Sequence, residues 1–488
     1  MCKRMKHILV TGAAGYIGSR LVPLLLEAGH HVRVVARDVN RLSDLPWANQ
    51  VETIEADLNV DDSVGRALEG IDVAYYLVHS MGSGEGFHRR DLEMANLFAR
   101  KAREANVERI IYLSALGHES TGLTEHLQSR QETGRHLANF GGDVIELRAG
   151  PVVGAGSLPF EMIRYLTERV PVMVCPRWVF TKVQPIGLSD VLAYLAASIN
   201  LKGNGHEIVE IGGSEIVSYG QMMTGYARIR GLRRVMIRVP VLTPRLSSLW
   251  VHLITPLRGS FARPIVEGLR NEVVVHDPQA LKMFPEIVPL GYESAVQSAL
   301  DDLRPSSLPP TRPLPVTPEG LVIQTINTAG IIRESRSKYV AASHQSVFDA
   351  FTTLGGEQGW YMDWGWRLRG ALDWLLGGPG LRRTRPSGDV KKGDLVDFWK
   401  VENVTQGQSL LLRAEMKLPG DAWLEFIATP SNETGTLLTQ NSYFAPKGLA
   451  GVIYWYALLP IHKPVFNGLI RRIATIAAAG SHRRSNSK

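Results

Sequence analysis

The 488-residue sequence predicts an α/β protein in two parts: a doubly wound parallel sheet with a small substrate lobe, then a separate α+β domain of antiparallel strands closed by a helix. Three observations predict this. Short apolar runs alternate with helical segments over residues 1–115. Residues 301–320, DDLRPSSLPPTRPLPVTPEG, contain six prolines. Beyond them strand-like alternation takes over, and seven of the ten tryptophans lie between Trp360 and Trp455. The length agrees, because a single core stops growing at roughly 250–300 residues.

The elements follow in order. Ile8–Thr11 is a strand, Tyr16–Ala28 a helix, Val32–Ala36 a strand and Val51–Ala56 another. Val73–Val78 (VAYYLV) and Arg109–Ser114 (RIIYLS) are apolar, β-branched or aromatic runs, as strands buried on both faces require. Val144–Leu147 (VIEL) adds a further strand. This βαβ rhythm predicts a parallel sheet with right-handed crossovers. Residues 151–300 are less regular. Their strand-like pieces, EIVEIGG and RVMIRVPV, are expected in a smaller lobe at about 200–300 that completes a cleft over the sheet. The first domain therefore spans 1–300.

Residues 301–319 read as a proline-rich, semi-rigid linker. Within 320–480, the period-2 runs DLVDFWKVE, SLLLRAEMKL, AWLEFIAT and TLLTQNSYF predict an antiparallel meander with one buried face. A helix at His344–Thr353, with Ser343 as its N-cap, precedes them, and a long helix at Leu449–Ile476 follows. A curved sheet gripped by such a helix commonly encloses an apolar cavity. The basic end, residues 481–488, reads as a disordered tail.

Composition narrows the function. The formal charge of +7 is modest for this length, and no dense basic stripe with interleaved aromatics suggests nucleic acid. The two cysteines, Cys2 and Cys175, make neither a disulfide framework nor a CxxC metal site, so a reducing cytoplasm is expected. LAGVIYWYALLP ends at Pro460, short of the roughly 20 residues a spanning helix needs. The apolar segment Val241–Leu257 leaves a peripheral membrane contact open, with tertiary packing its default reading. Oligomeric state is not set by anything in the sequence.

Gly12, Gly15 and Gly18 stand between a strand and a helix inside a βαβ unit. Gly12 suits the tight turn, Gly15 the close approach of a pyrophosphate and Gly18 close helix packing, with the helix N-terminus facing phosphates. Ala14, Tyr16 and Ile17 complete that turn. At the end of the second strand, an acidic residue would bind a ribose 2′-hydroxyl and an arginine a 2′-phosphate. Arg37 lies 19 residues after Gly18, and Arg41 is one turn on, so NADP(H) is expected; Asp38 keeps NAD(H) open. Asp57 and Leu58 fall where an adenine edge would rest, although Asp57 can equally cap the next helix. Leu77, Val78 and His79 end the fourth strand, and the glycines of MGSGEG suggest a mobile cover after it.

TGAAGYIG, the ADL at Ala56–Leu58, RIIYLS and QPIGLSDV at Gln184–Val191 together resemble the extended and atypical short-chain dehydrogenases/reductases, over roughly residues 5–300. NmrA-like redox sensors and the 39-kDa-type accessory subunit of respiratory complex I are among the related branches. The resemblance implies a Rossmann fold and chemistry by a serine at the end of the fifth strand with a Tyr-x-x-x-Lys pair on the next helix. Ser114 matches the serine, but no Tyr-x-x-x-Lys follows. Alignment puts His126 in the tyrosine position and Arg130 in the lysine position, and their spacing keeps both on one helix face. A histidine titrating near 6.5 can donate a proton at neutral pH, though a nearby guanidinium lowers that value. His79 is the alternative donor. The plain alternative is an amphipathic helix whose histidine and arginine face solvent.

RGALDWLLGGPGLRR, GDLVDFWKVE, AEMKLPGDAWLEF and YWYALLPIHKPVFNGL resemble a bacterial branch of the START-like, Bet v 1-like superfamily. That resemblance implies a helix-grip fold around a cavity for a small apolar or aromatic ligand, which Trp360, Trp364, Trp366, Trp399 and Trp423 could line. Plain core packing is the competing role of each tryptophan. The expectation is an NAD(P)H-dependent oxidoreductase acting on a lipophilic carbonyl, quinone-like or isoprenoid compound. A non-catalytic NADP(H) sensor or assembly factor, and an apolar-ligand carrier, are the alternatives.

Overall fold

The computed structural model describes residues 5–485 except 44, 80–86, 119–122, 202, 204, 240–267, 269–270, 306–307, 309–319, 329, 376, 383 and 432–434. The MGSGEG cover, most of the proline-rich stretch and the Val241–Leu257 segment lie outside the described residues. The chain divides into two compact units, Met1–Asp302 and Leu303–Lys488.

In the first unit, seven strands form one parallel sheet. They are β1 (His7–Val10), β2 (His31–Ala36), β3 (Glu52–Glu55), β4 (Val73–Tyr76), β5 (Arg109–Ala115), β6 (Asp143–Ala149) and β7 (His206–Ile211). Their order is β7-β6-β5-β4-β1-β2-β3. Connections run outward in both directions from β1 and β4, so these two strands flank the point where strand order reverses. In such sheets a ligand crevice opens there, above the carboxyl ends.

Alternation along β1 shows how the layers are built. Ile8 and Val10 pack on one side with Leu21, Val22 and Leu25 of α1 (Gly18–Glu27). Leu9 packs on the other with Val64 of α2 (Asp61–Leu68) and Phe98 of α3 (Phe87–Glu104), and Leu137 of α4 (Glu125–Ala138) joins them. A third cluster joins α5 (Leu158–Arg169), α6 (Tyr219–Ile229) and α7 (Tyr292–Asp301) into the lobe.

Two sequence expectations for this unit need correcting. EIVEIGG belongs to the main sheet as its edge strand β7, because Val209 and Ile211 point into the core beside β6. The lobe begins near residue 158, well before 200. RVMIRVPV falls in the lobe as expected, its Val235–Arg238 pairing with Val172–Cys175 in a two-stranded ladder.

The second unit is a seven-stranded antiparallel sheet. Its strands are β8 (Val322–Thr328), β9 (Ile331–Val340), β10 (Leu395–Val396), β11 (Trp399–Thr405), β12 (Ser409–Ala414), β13 (Gly420–Pro430) and β14 (Thr436–Pro446). Their order is β8-β9-β14-β13-β12-β11-β10. Helix α8 (His344–Thr352) starts at Ser343, whose Oγ accepts the Ser346 N–H at 3.2 Å. Its Val347, Phe348 and Phe351 share a core with Leu424, Phe426 and Leu438 of the sheet, and with Leu469, Ile470 and Ile473 of the last helix. Helix α9 (Asp363–Leu375) precedes the β10–β13 meander. The last helix, α10 (Gly448–Ser485), runs past Ile476 into the segment expected to be a disordered tail. Among the described residues, no helix is long and apolar enough to cross a membrane.

Candidate functional site

The glycine turn shows why each position excludes a side chain. Gly12 adopts φ +66°, and a Cβ there would stand 2.7 Å from the Leu77 carbonyl oxygen and 3.3 Å from Val78. The turn after β1 is thereby pressed against the end of β4. A Cβ on Gly15 would meet Gly12 O at 2.9 Å. One on Gly18 would meet Ala13 Cα at 2.8 Å, with Gly12 O nearer still. Thr11 locks the same junction: its hydroxyl donates to Tyr75 O and accepts from Leu77 N–H, both at 2.9 Å.

Helix α1 begins at Gly18, two residues later than expected, so Tyr16 and Ile17 belong to the turn. Ile17 is its N-cap, no side chain caps it, and its first turn carries no acid. Ala14 and Gly15 are exposed above it. Backbone N–H groups of a helix start left this way suit an anion. Tyr16 is turned inward, where burial pushes its phenol well above the ordinary range, and Arg20 stacks 4.3 Å from its ring.

At the rim of β2, Arg37 and Arg41 are exposed. Asp38 is committed locally. Its Oδ1 accepts the Asn40 N–H at 3.0 Å and caps the short 3₁₀ turn Val39–Arg41. Asp57 does not cap α2, whose N-cap is Val60. Its Oδ1 instead accepts from the Asn59 backbone and side-chain amides at 3.0 and 2.7 Å. Those bonds, and the nearby Arg37 guanidinium, hold the Asp57 carboxyl below its usual range. Leu58 is buried in the core behind it.

The four residues proposed for chemistry converge. Arg130 reaches from α4 to donate an Nη1 hydrogen bond to Leu113 O at 3.1 Å, and its Nη2 lies 3.0 Å from His79 Nε2. His126 sits one turn earlier on α4, with its ring centroid 6.4 Å from that of His79. Ser114 follows Leu113 on β5. It is 3% exposed and lies beside Tyr112, whose hydroxyl donates to Arg130 O at 3.0 Å. Ser114 Oγ has no hydrogen-bond partner among the described residues.

The electrostatics extend one expectation, the lowering of His126 by a nearby guanidinium. Burial first, and the Arg130 guanidinium second, depress His126 to about 4. The same causes, with His126 added, carry His79 well below its ordinary value. Both imidazoles are therefore neutral at pH 7, and neither is the imidazolium acid that a value near 6.5 would have allowed. A neutral ring still offers one N–H donor. Arg130, already bonded to Leu113 and His79, acts first as the strut of the cluster.

Several residues in or near the site were missed from sequence. Tyr112 and Thr11 read only as strand residues. Glu146 is fully buried on β6, held by Arg148 Nε at 2.8 Å and His206 Nε2 at 2.9 Å; an acid inside the apolar run VIEL was the available signal. Within QPIGLSDV, Gln184 and Asp190 turn out to tie the lobe together. Gln184 bonds Gly213 O and Val275 N–H, and Asp190 accepts from Leu290 N–H.

The second unit contains a cavity of about 320 Å³ with almost wholly apolar walls. Trp364, Trp366, Trp399 and Trp423 line it, together with Met416 and Phe444. Trp360 does not. It is buried in the core, where its Nε1–H donates to Asp397 Oδ2 at 2.7 Å. His462, also on the wall, is depressed to about 4 by burial and the nearby Arg336 charge.

Residues 12–139 match a family described as NAD(P)H-binding, and residues 332–469 match a family described as a protein of unknown function, DUF2867. Dihydroflavonol 4-reductase of Arabidopsis thaliana is 31% identical over 26% of this chain and 36% of its own length. The chain thus spans about a third of that relative. Ceramide reductase of Caulobacter vibrioides is 26% identical over 48% of this chain and 73% of its own length. Among solved structures, a triphenylmethane reductase of Citrobacter sp. superposes with a TM-score of 0.50 at 16% identity, over 60% of this chain and 99% of that one. The glycine turn, free of side chains and uncapped, fits a dinucleotide. The N-terminal unit is thus a Rossmann-type parallel α/β sheet whose residues 12–139 are similar to an NAD(P)H-binding family.

Proposed function

We propose that the chain is an oxidoreductase that uses NADPH in preference to NADH to reduce a carbonyl on a lipophilic compound. The observation that carries the reading is the convergence of Ser114, His126, His79 and Arg130 beside the end of β4, the strand pressed against the glycine turn. The similarity to a ceramide reductase, which spans most of that protein, points the same way. Gly12, Gly15 and the start of α1 would hold the pyrophosphate, Arg37 and Arg41 a 2′-phosphate, and Leu77 to His79 the inner part of the cofactor. NADPH supplies the hydride, which goes to the carbonyl carbon while a proton reaches the oxygen, giving an alcohol and NADP⁺. Ser114 Oγ–H and the neutral His126 N–H hold the carbonyl oxygen as charge develops on it, a role that needs donors rather than a charged acid. Arg130 fixes His79 through its Nη2–Nε2 contact. The proton is drawn from solvent.

The C-terminal unit is read as a START-like helix-grip module that holds the lipophilic compound in its apolar cavity. A second reading, a non-catalytic NADP(H) sensor, is favoured by one observation: no imidazolium is present in the cluster at neutral pH. The test follows NADPH absorbance with the full chain and a panel of long-chain ketones, steroid ketones and quinones. Turnover that drops about 10²-fold in Ser114→Ala or His126→Ala, with NADPH affinity unchanged, supports the reductase. NADPH binding without turnover on any acceptor would leave the sensor reading in its place.

A further inference from the structure

Two helices of the second unit present apolar stripes to solvent. On α9, Trp364, Leu368, Leu372 and Leu375 recur at helical spacing on one face, and they are 64%, 58%, 50% and 75% exposed. On α10, Ile453 and Ile461 lie on one outward face with Pro460 and Pro464 between and beyond them; the two isoleucines are 59% and 56% exposed. Scattered exposed leucines need no explanation, but two aligned stripes do. Trp364, Leu368, Leu372 and Ile461 also line the cavity, so the stripes form its rim. The apolar surface outside is continuous with the apolar volume inside.

On α10 the charge around this rim has one sign, while on α9 Arg367 and Arg369 are paired with Asp363 and Asp373. Helix α10 carries no aspartate or glutamate, and Lys463 and Arg471 stand exposed along it. Arg367 and Arg369 lie on α9. Of the two acids on α9, Asp373 is fully buried, receiving the Gly380 N–H at 2.9 Å and the Lys417 N–H at 2.7 Å. Asp363 accepts from Arg367 at 3.0 Å. Exposed tryptophan beside apolar residues, edged with lysine and arginine, suits an interface whose far side is hydrocarbon and whose near side is anionic. A water-soluble partner would require neither the continuity with the cavity nor the one-sided charge of α10.

We propose that the rim formed by α9 and α10 docks on the surface of an anionic lipid bilayer, so that a lipophilic compound passes between bilayer and cavity without crossing water. This deepens the reading of the cavity given above and rests on it. The stripes would enter the headgroup layer while Lys463 and Arg471 meet phosphates.

The test is flotation of the full chain with vesicles of phosphatidylcholine, alone or mixed with phosphatidylglycerol. Binding is expected to the mixed vesicles, weakened by salt. The variant Ile453→Glu/Leu375→Glu alters exposed residues outside the cavity wall and should bind about tenfold or more weakly, with thermal melting and NADPH affinity unchanged. Should it fail to fold, Lys463→Glu/Arg471→Glu is expected to show a similar loss through charge alone. Absent binding to mixed vesicles overturns the proposal, as does equal binding by both folded variants. So does sedimentation showing a dimer that Ile453→Glu/Leu375→Glu dissociates without any vesicle binding, which would assign the face to a second copy. NADPH oxidation, scored with detergent-dispersed substrate, keeps failure of docking distinct from failure of the reductase reading.

Discussion

The two units build their sites from different parts of the chain. In the first, the backbone is the ligand surface: Gly12, Gly15 and Gly18 matter because a Cβ would strike main-chain atoms. In the second, the surface is a wall of many side chains, Trp364, Trp399, Trp423 and Met416 among them. A site made of backbone has few tolerated residues at each position. A cavity made of side chains can trade volume among neighbours. The first kind should fail at single positions and the second should degrade gradually.

The largest expected effect is at Gly12. Gly12→Val combines a clash with Leu77 O and a β-branched residue at φ +66°, where left-handed backbone costs about 1–2 kcal/mol on its own. With overpacking of roughly 1–3 kcal/mol added, NADPH affinity should fall by about 100-fold or more by calorimetry. Gly29→Ala is the control. Gly29 has φ +80° but open space around it, so the change should lower the melting temperature and leave NADPH affinity alone. If the two substitutions act alike, local strain rather than the cofactor cradle explains Gly12.

Next in size is the cofactor preference. Arg37 is exposed, and Asp38, the competing ribose ligand, is bonded to Asn40. Arg37→Ala should cost NADPH about tenfold to 100-fold and NADH little, the range of one lost charge-assisted hydrogen bond. Equal affinity of the unmutated protein for the two cofactors would remove Arg37 from the site. Binding of an apolar probe to the second unit should not change, since its wall shares no residue with the turn.

The same contrast explains what the sequence made legible. The parallel sheet was readable because β1, β4 and β5 are continuous apolar runs, and the turn because its glycines stand at fixed offsets between strand and helix. The cluster of Ser114, His126 and Arg130 was locatable by its place after β5, and so was the downward pull of Arg130 on His126; the burial that dominates the shift was not, because it depends on tertiary packing. β9 was invisible for a physical reason. Arg333, Glu334, Ser335, Arg336 and Ser337 are all buried within it, and Glu334 and Arg336 are paired at 3.1 Å, so period-2 hydrophobicity gives no signal. Helix α9 was missed because its apolar stripe faces solvent and the cavity mouth rather than a core. EIVEIGG was placed in the wrong layer because edge strands alternate weakly.

Acid should reveal both units at once. His126 in the first and His462 in the second are each depressed to about 4, against about 6.5 when unfolded. The folded protein then binds fewer protons than the unfolded chain between those values, so stability rises with pH across that window. The contribution is fully present above about 6.5 and is lost as pH falls toward 4. Each histidine contributes of order 1–3 kcal/mol. His126→Gln should flatten the acid arm of the first unit's unfolding and His462→Gln that of the second, read by thermal melts from pH 4 to pH 7. A melt whose acid arm is unchanged in either variant would mean that the ring is solvated.

The smallest effect belongs to the cavity wall, and it is the sharpest check on the contrast. Met416 is half-buried and is one of many apolar groups around about 320 Å³. Met416→Ala removes contacts on one side of a ligand but leaves the aromatic walls in place. Apolar burial stabilises by about 0.8 kcal/mol per methylene, and a bound molecule can shift toward the space created. The affinity of a fluorescent apolar probe should therefore fall by only about threefold to tenfold. A loss as large as that expected at Gly12 would show that the cavity has a single indispensable contact. It would then be a site of fixed geometry like the glycine turn, and the difference between the two units would disappear.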